Sequence, residues 1–130
     1  MLKVLCIALH LCTTISGSPY TIDGDTISFD SVHVRIFGLD AEETYETHGM
    51  EARLGLFRLV QVSDVTCNLT GERSHERYIG RCYNKDGDIA AQMIAQGLAL
   101  DCPRYSGGVY RKYETEWARL KLAAKSYCWR

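Results

Sequence analysis

Residues 32–43 read V-H-V-R-I-F-G-L-D-A-E-E. Val32, Val34 and Ile36 alternate with His33, Arg35 and Phe37. That period of two marks a half-buried strand and sets Arg35 on the face opposite the three aliphatics. The run then ends in Asp40, Ala41, Glu42 and Glu43. Upstream, Tyr20–Ile22 and Thr26–Phe29 read as strands around a second acidic turn, D-G-D at 23–25. The tight Asp30-Ser31 junction joins Thr26–Phe29 to the Val32 strand as a hairpin. In D-G-D, Asp23 reads as a turn former, with Gly24 taking the positive φ.

Downstream the pattern changes. From His48 to Val60, Met50, Leu54, Phe57 and Val60 recur at three- and four-residue steps, which predicts a helix with those residues on its apolar face. Val62–Cys67 and Arg77–Tyr83 read as strands separated by a polar loop, N-L-T-G-E-R-S-H-E. Asp88 is placed to cap a short helix through Gln96, and Gly97 to stop it. Leu98–Leu100 is a short apolar strand. A last helix is expected over Val109–Ala124, with Tyr110, Tyr113, Trp117, Leu120 and Ala124 as its core stripe. Strands first and helices late predict an α+β domain, a small antiparallel barrel with helices packed on it.

The chain has 130 residues, 46% of them apolar, which suits one folded domain. Residues 1–17 carry a single charge, Lys3, then an apolar run and small residues at Ser16, Gly17 and Ser18. This reads as a secretory signal peptide, leaving a domain over 18–130. The apolar run is too short for a membrane span, which needs about 20 residues. The competing readings are an uncleaved anchor and an ordinary first strand over Cys12–Ile22. Cleavage near Gly17 would leave 14 basic against 16 acidic residues, net −2. No global basic field exists, so an anionic partner must be held by a local cationic pocket. Of six cysteines, Cys6 and Cys12 would leave with the signal. The other four suggest two disulfides, for which three pairings exist. Cys67 and Cys82 flank a hairpin-like segment and are the favoured pair.

Asp25, Asp40 and Glu43 lie on separate turns. Hard dications such as Ca2+ and Mg2+ take oxygen ligands of this kind, although no EF-hand spacing is present; the plain alternative is solvated surface charge. Arg35 and Arg77 change the weighing. Phosphoryl transfer to water needs a cation, a group that positions or deprotonates the water, and donors for the charge of the transition state. Arginine fits the last role, because its planar fork binds two phosphate oxygens and stays charged. The bland reading of each arginine is a surface salt bridge. The histidines form no i, i+4 ligand pair, and no Ser-His-Asp order or Gly-rich phosphate loop occurs.

With these residues assembled, the chain resembles the thermonuclease, or staphylococcal nuclease-like, family. The matching runs are I-D-G-D-T-I at 22–27, V-R-I-F-G-L-D-A-E-E at 34–43, R-Y-I-G-R-C-Y at 77–83 and D-I-A-A-Q-M-I-A-Q-G-L-A at 88–99. The resemblance implies a five-stranded OB-fold antiparallel barrel with three helices. It implies Ca2+-dependent hydrolysis of phosphodiester bonds in DNA and RNA, with P–O5′ cleavage. By position, Asp25, Asp40 and the Ala41 carbonyl would bind metal. Glu43 would be the general base or the residue that orients water, and Arg35 and Arg77 would clamp the scissile phosphate. Tyr105 falls where the family has a tyrosine near the nucleotide. The same resemblance brings Cys128 toward Cys102 as the second disulfide. It implies a secreted or periplasmic monomer, with no stable protein partner and no membrane attachment after signal cleavage.

Several positions depart from the family pattern. Asp40-Ala41-Glu42-Glu43 stands where the family reads D-x-P-E, so Glu42 replaces a proline and is expected to compete for metal. Glu76 replaces the glycine before the second arginine. Anchoring on Gly80-Arg81 would select Arg81 instead of Arg77; strand register favours Arg77. The altered loop and the negative net charge leave a second reading, a catalytically weak or inactive OB-fold module that binds nucleic acid or protein.

Overall fold

The computed structural model of the chain describes residues 3–4 and 13–129. Strands β1 (Lys3–Val4), β2 (Thr14–Gly17), β3 (Tyr20–Thr21), β4 (Thr26–Phe29), β5 (Val32–Ile36) and β6 (Leu39–Asp40) precede helix α1 (Gly49–Gln61). Then come β7 (Val65–Ser74), β8 (Arg77–Asn84), β9 (Gly87–Asp88), helix α2 (Ile89–Ala95) and β10 (Leu100–Asp101). The short helices α3 (Pro103–Ser106) and α4 (Glu116–Lys121) follow, with 3-10 turns at Arg111–Tyr113 and Ser126–Trp129. The expected β4–β5 hairpin forms, with Asp30 in the left-handed region at φ 55°.

The main sheet runs in the order β1-β2-β7-β8-β5-β4-β3, with β9 on β8; β6 pairs separately with β10. The α+β class stands, but the strand path is open among the described residues: β1 and β3 end it unpaired with each other. It is not purely antiparallel either. β5 and β8 run parallel, Arg35 opposite Ile79. A parallel pair requires a long crossover, and α1 and β7 supply it between these two strands.

The stretch 1–17, expected as a signal peptide, lies partly outside the described residues. Its last four residues form β2, which pairs with β7 and sends Ile15 into the core at 0% exposure. β7 also extends further than expected. Most of the polar segment 68–76 continues the β7–β8 ladder as an exposed arm, with a bulge between Leu69 and Arg73 and His75 turning at φ 58°. Its polar composition reflects exposure on both faces, not loop structure.

Helix α1 occupies the expected span but buries a different face. Ala52, Gly55, Leu56, Leu59 and Val60 point inward, while Met50, Leu54 and Phe57 are about half exposed. Two small residues on that inward face, Ala52 and Gly55, allow close approach: a Cβ at Gly55 would collide with the Leu98 side chain. The long side chains stand outside, beside Tyr20. Helix α2 is capped as expected, Asp88 accepting from the Ala91 N–H at 3.2 Å, and Gly97 leaves the helix at φ 75°. The expected helix over Val109–Ala124 is broken. Glu114 is extended, and Thr115 caps α4 afresh through the Ala118 N–H. Tyr110, Ala118 and Leu122 are buried; Tyr113, Trp117 and Leu120 are exposed. Both disulfides, Cys67–Cys82 and Cys102–Cys128, are formed.

Candidate functional site

The D-G-D turn delivers Asp25 to the mouth of the sheet. Asp23 Oδ1 accepts the Asp25 N–H at 3.1 Å, and the Ile36 N–H donates to the Asp25 carbonyl at 2.8 Å. Gly24 is not in the left-handed region. Space decides its identity instead, because a Cβ there would lie 2.7 Å from Ala52 Cβ and 2.8 Å from Ala41 Cβ. The missing side chain lets the first acidic turn press against the second.

Arg35, on β5, is anchored by donating to the Ile36 and Leu39 carbonyls at 3.0 Å each, and its Nη2 lies 3.5 Å from Asp25 Oδ2. Burial works against its charge, yet Asp25 and the nearby Tyr127 hydroxyl outweigh that and raise its pKa. Arg77 begins β8. It donates to Thr26 Oγ1 at 3.0 Å and Ser74 Oγ at 3.1 Å, and its Nη1 is 3.9 Å from Asp25 Oδ1. Two guanidinium groups therefore converge on one carboxylate. Arg81 does not join them: its guanidinium stacks over the Phe37 ring at 4.5 Å. Sheet face does not separate the two arginines, since alternation along β8 puts residues 77 and 81 on the same side. Four residues along the strand separate them, about 13 Å at the usual rise. Glu76 is exposed at the tip of the arm, and the hydrogen bonds of Arg77 go to Ser74 and Thr26.

Arg35 and Arg77 open into a cleft of about 500 Å³ that Arg73, Arg104, Tyr105 and Tyr127 also line. Four arginines face one glutamate, Glu72, so this is the local cationic pocket that the net charge demanded. Tyr105, on α3, is half exposed with its ring 6.5 Å from that of Tyr127.

The second acidic turn lies deeper. Asp40 is 3% exposed; its Oδ2 accepts the Lys125 N–H at 3.0 Å, while Oδ1 has no hydrogen-bond partner. Burial pushes its pKa up to about 6, against the pull of Lys125. Asp23 is likewise raised to about 6, by burial and then by Asp25. Lys125 Nζ donates to the Ala41 carbonyl at 2.9 Å and lies 3.8 Å from Asp40 Oδ1. It is also 3.9 Å from Glu43 Oε1 and 3.5 Å from Glu46 Oε1. Glu43 is partly exposed, and its N–H is held by Glu46 Oε1 at 2.7 Å. A side chain at Gly49 would collide with the Glu43 carbonyl, so the loop returns tightly onto the start of α1.

Glu42 does not compete with this site. It accepts from the His48 N–H at 2.8 Å, lies 3.2 Å from His48 Nδ1, and accepts from the Ala123 N–H at 2.8 Å. Burial opposes its charge, but those bonds prevail and lower its pKa. The carboxylate ties the acidic loop to α1 and to the C-terminal segment, supplying by hydrogen bonds a constraint that a proline would supply covalently.

Among the described residues no three Asp, Glu, His or Cys side chains form a ready metal cage. The orphaned Asp40 Oδ1 and the Ala41 carbonyl nonetheless aim at one point, with Asp25 on the neighbouring turn. Two carboxylates and a carbonyl are hard oxygen donors and fit a hard dication completed by water. Lys125, Glu46, Arg73 and Tyr127 have no place in the sequence reading. One signal pointed to Lys125: the expected Cys102–Cys128 bridge fixes the chain three residues beyond it.

The fold is an α+β domain in which two arginines meet an acidic turn beside a cationic cleft. Residues 33–127 match the family profile described as Staphylococcal nuclease homologue, and the chain belongs to that family. The D-G-D turn lies just before the matched range. No curated protein matches the chain.

Proposed function

We propose that this protein is a Ca2+-dependent nuclease that hydrolyses phosphodiester bonds of DNA and RNA, cutting the P–O5′ bond. The observation that carries the reading is the convergence of Arg35 and Arg77 on Asp25 at the mouth of an arginine-lined cleft. Asp25, Asp40 and the Ala41 carbonyl would hold the ion, which when bound supplies positive charge to a phosphate oxygen and to the attacking water. Arg35 and Arg77 exchange part of their contact with Asp25 for the phosphate and stabilise charge that grows on its oxygens. Glu43, partly exposed on its loop, orients the water and takes its proton. Contacts of this kind read phosphate and not base, so sequence preference is low. Tyr105 and Tyr127 offer ring faces to unpaired bases, which favours single strands and frayed ends.

The protein acts outside the reducing cytosol, secreted or periplasmic, as the two disulfides among the described residues suggest. It works as a monomer without a lasting protein partner or membrane attachment. Thr14–Gly17 pack against β7 as β2, with Ile15 in the core. The open sheet is read as a variant of the family's OB barrel. The test is plasmid and single-stranded RNA incubated with the purified protein, with calcium and with chelator. Cutting in calcium alone is the expected result; binding without cutting would favour the non-catalytic module. The seating of Lys125 among the acidic groups is the structural observation that favours that second reading.

A further inference from the structure

The ammonium of Lys125 lies against two of the groups expected to hold the ion, the Ala41 carbonyl and Asp40. One carbonyl and three carboxylates surround it: Ala41 at 2.9 Å, Glu46 at 3.5 Å, Asp40 at 3.8 Å and Glu43 at 3.9 Å. This is not the behaviour of an ordinary surface lysine. Its side chain is only 19% exposed. The segment that carries it is fastened on both sides. Ala123 and Lys125 donate backbone N–H groups to Glu42 and Asp40, and Cys128 is bonded to Cys102 beside the cleft.

The fit is incomplete in an informative way. A single charge faces three carboxylates, and Asp40 Oδ1 stays without a hydrogen bond although it is buried. A buried carboxylate oxygen left unpaired is costly. A dication in the same place would carry twice the charge and would satisfy that oxygen directly.

We propose that Lys125 is a tethered occupant of the cation site, held there by the segment Leu122–Trp129, and that a dication binds by displacing it. The proposal rests on the dication that the nuclease reading requires. Because the competitor belongs to the same chain, its local concentration is high and constant. Apparent metal affinity therefore falls by the fraction of molecules in which the lysine is withdrawn. Lys125 is thus a residue that sets metal affinity, and it makes the site answer only to an ion that outcompetes an ammonium.

The experiment is calorimetric titration with calcium chloride of the wild-type chain, Lys125→Met and Lys125→Arg. The Met variant is expected to bind calcium at least about tenfold more tightly, as removal of an adjacent like charge requires, while the Arg variant stays near the wild type. A second measurement needs no variant. In wild-type protein labelled at lysine side chains, the Lys125 Cε resonance should shift toward that of a free lysine as calcium saturates the site. Equal affinity of the wild type and Lys125→Met, or a Lys125 signal unmoved at saturation, overturns the displacement while leaving the nuclease reading intact. Absence of calcium binding in every protein, together with absence of calcium-dependent cutting, removes the dication itself and both proposals with it.

Discussion

Asp25, on the D-G-D turn, and Asp40, at the end of β6, are both buried acids that sit against cations, yet they are partnered differently. Asp25 meets two arginines that belong to strands, Arg35 on β5 and Arg77 on β8. Asp40 meets a lysine brought from 85 residues away by a segment without regular helix or strand at that position. The first arrangement follows from sheet geometry, which orients every second side chain to one face. The second depends on where the chain end is pinned. One acid is therefore partnered by the fold itself, and the other by a fastening laid over it.

Replacing an arginine on the Asp25 side should produce the largest effect. Arg35→Ala and Arg77→Ala are each expected to slow DNA cleavage by about 100- to 1000-fold, the usual loss for a missing transition-state donor, with circular dichroism unchanged. Wild-type rates in both would break the account of the cleft. The core face of α1 gives the next effect. Leu56→Ala should cost about 2–5 kcal/mol in denaturant unfolding, whereas Leu54→Ala, half exposed, should stay within about 0.5 kcal/mol. The reverse order would restore the face that the helical period suggested.

The Asp40 side has a pH signature in chelator. Its carboxyl titrates near 6 in the folded state against 3.8 when unperturbed, and Asp23 behaves alike. Between those values the folded chain holds more protons than the unfolded one, so stability is greatest below the window and is lost as pH rises through it. Asp40→Asn should flatten that decline in part, because Asp23 and Asp101, both also raised, retain the rest; a slope identical to the wild type between pH 4 and 6 would contradict the shift. The smallest change is expected from Arg81→Ala. It removes a stack on Phe37 and should leave cleavage within about threefold, since such contacts are worth about 0.5–1 kcal/mol at exposed sites.

What could be read from sequence follows the same division. Alternation of Val32, Val34 and Ile36 marked β5, and the D-G-D and D-A-E-E turns marked the acidic loops, because strand period and turn chemistry are local. Asp88 and Gly97 bounded α2 for the same reason. The inward face of α1 differs from the periodic one because close packing selects Gly55 against Leu98 and Ala52 against the Gly24 turn, residues with little hydrophobic signal, over Met50 and Phe57. The last helix was overextended because aromatic spacing at Tyr113 and Trp117 looked helical, while the interruption at Glu114 comes from a distant partner: its carboxylate accepts the Asp101 N–H at 2.9 Å. Lys125 carries no local signal of its own: its place among the acids is set by tertiary contacts and by the Cys102–Cys128 bridge three residues on.

Cys67 and Cys82 face each other directly across the β7–β8 ladder. A slip of one residue between those strands would turn every β8 side chain over, moving Arg77 away from Asp25 and emptying the cleft of its second guanidinium. The exposed arm beyond, with its bulge, has little packing of its own to forbid such slippage. A sulfur bridge between opposed positions forbids it covalently, so the bond acts as an alignment pin for an arginine five residues away.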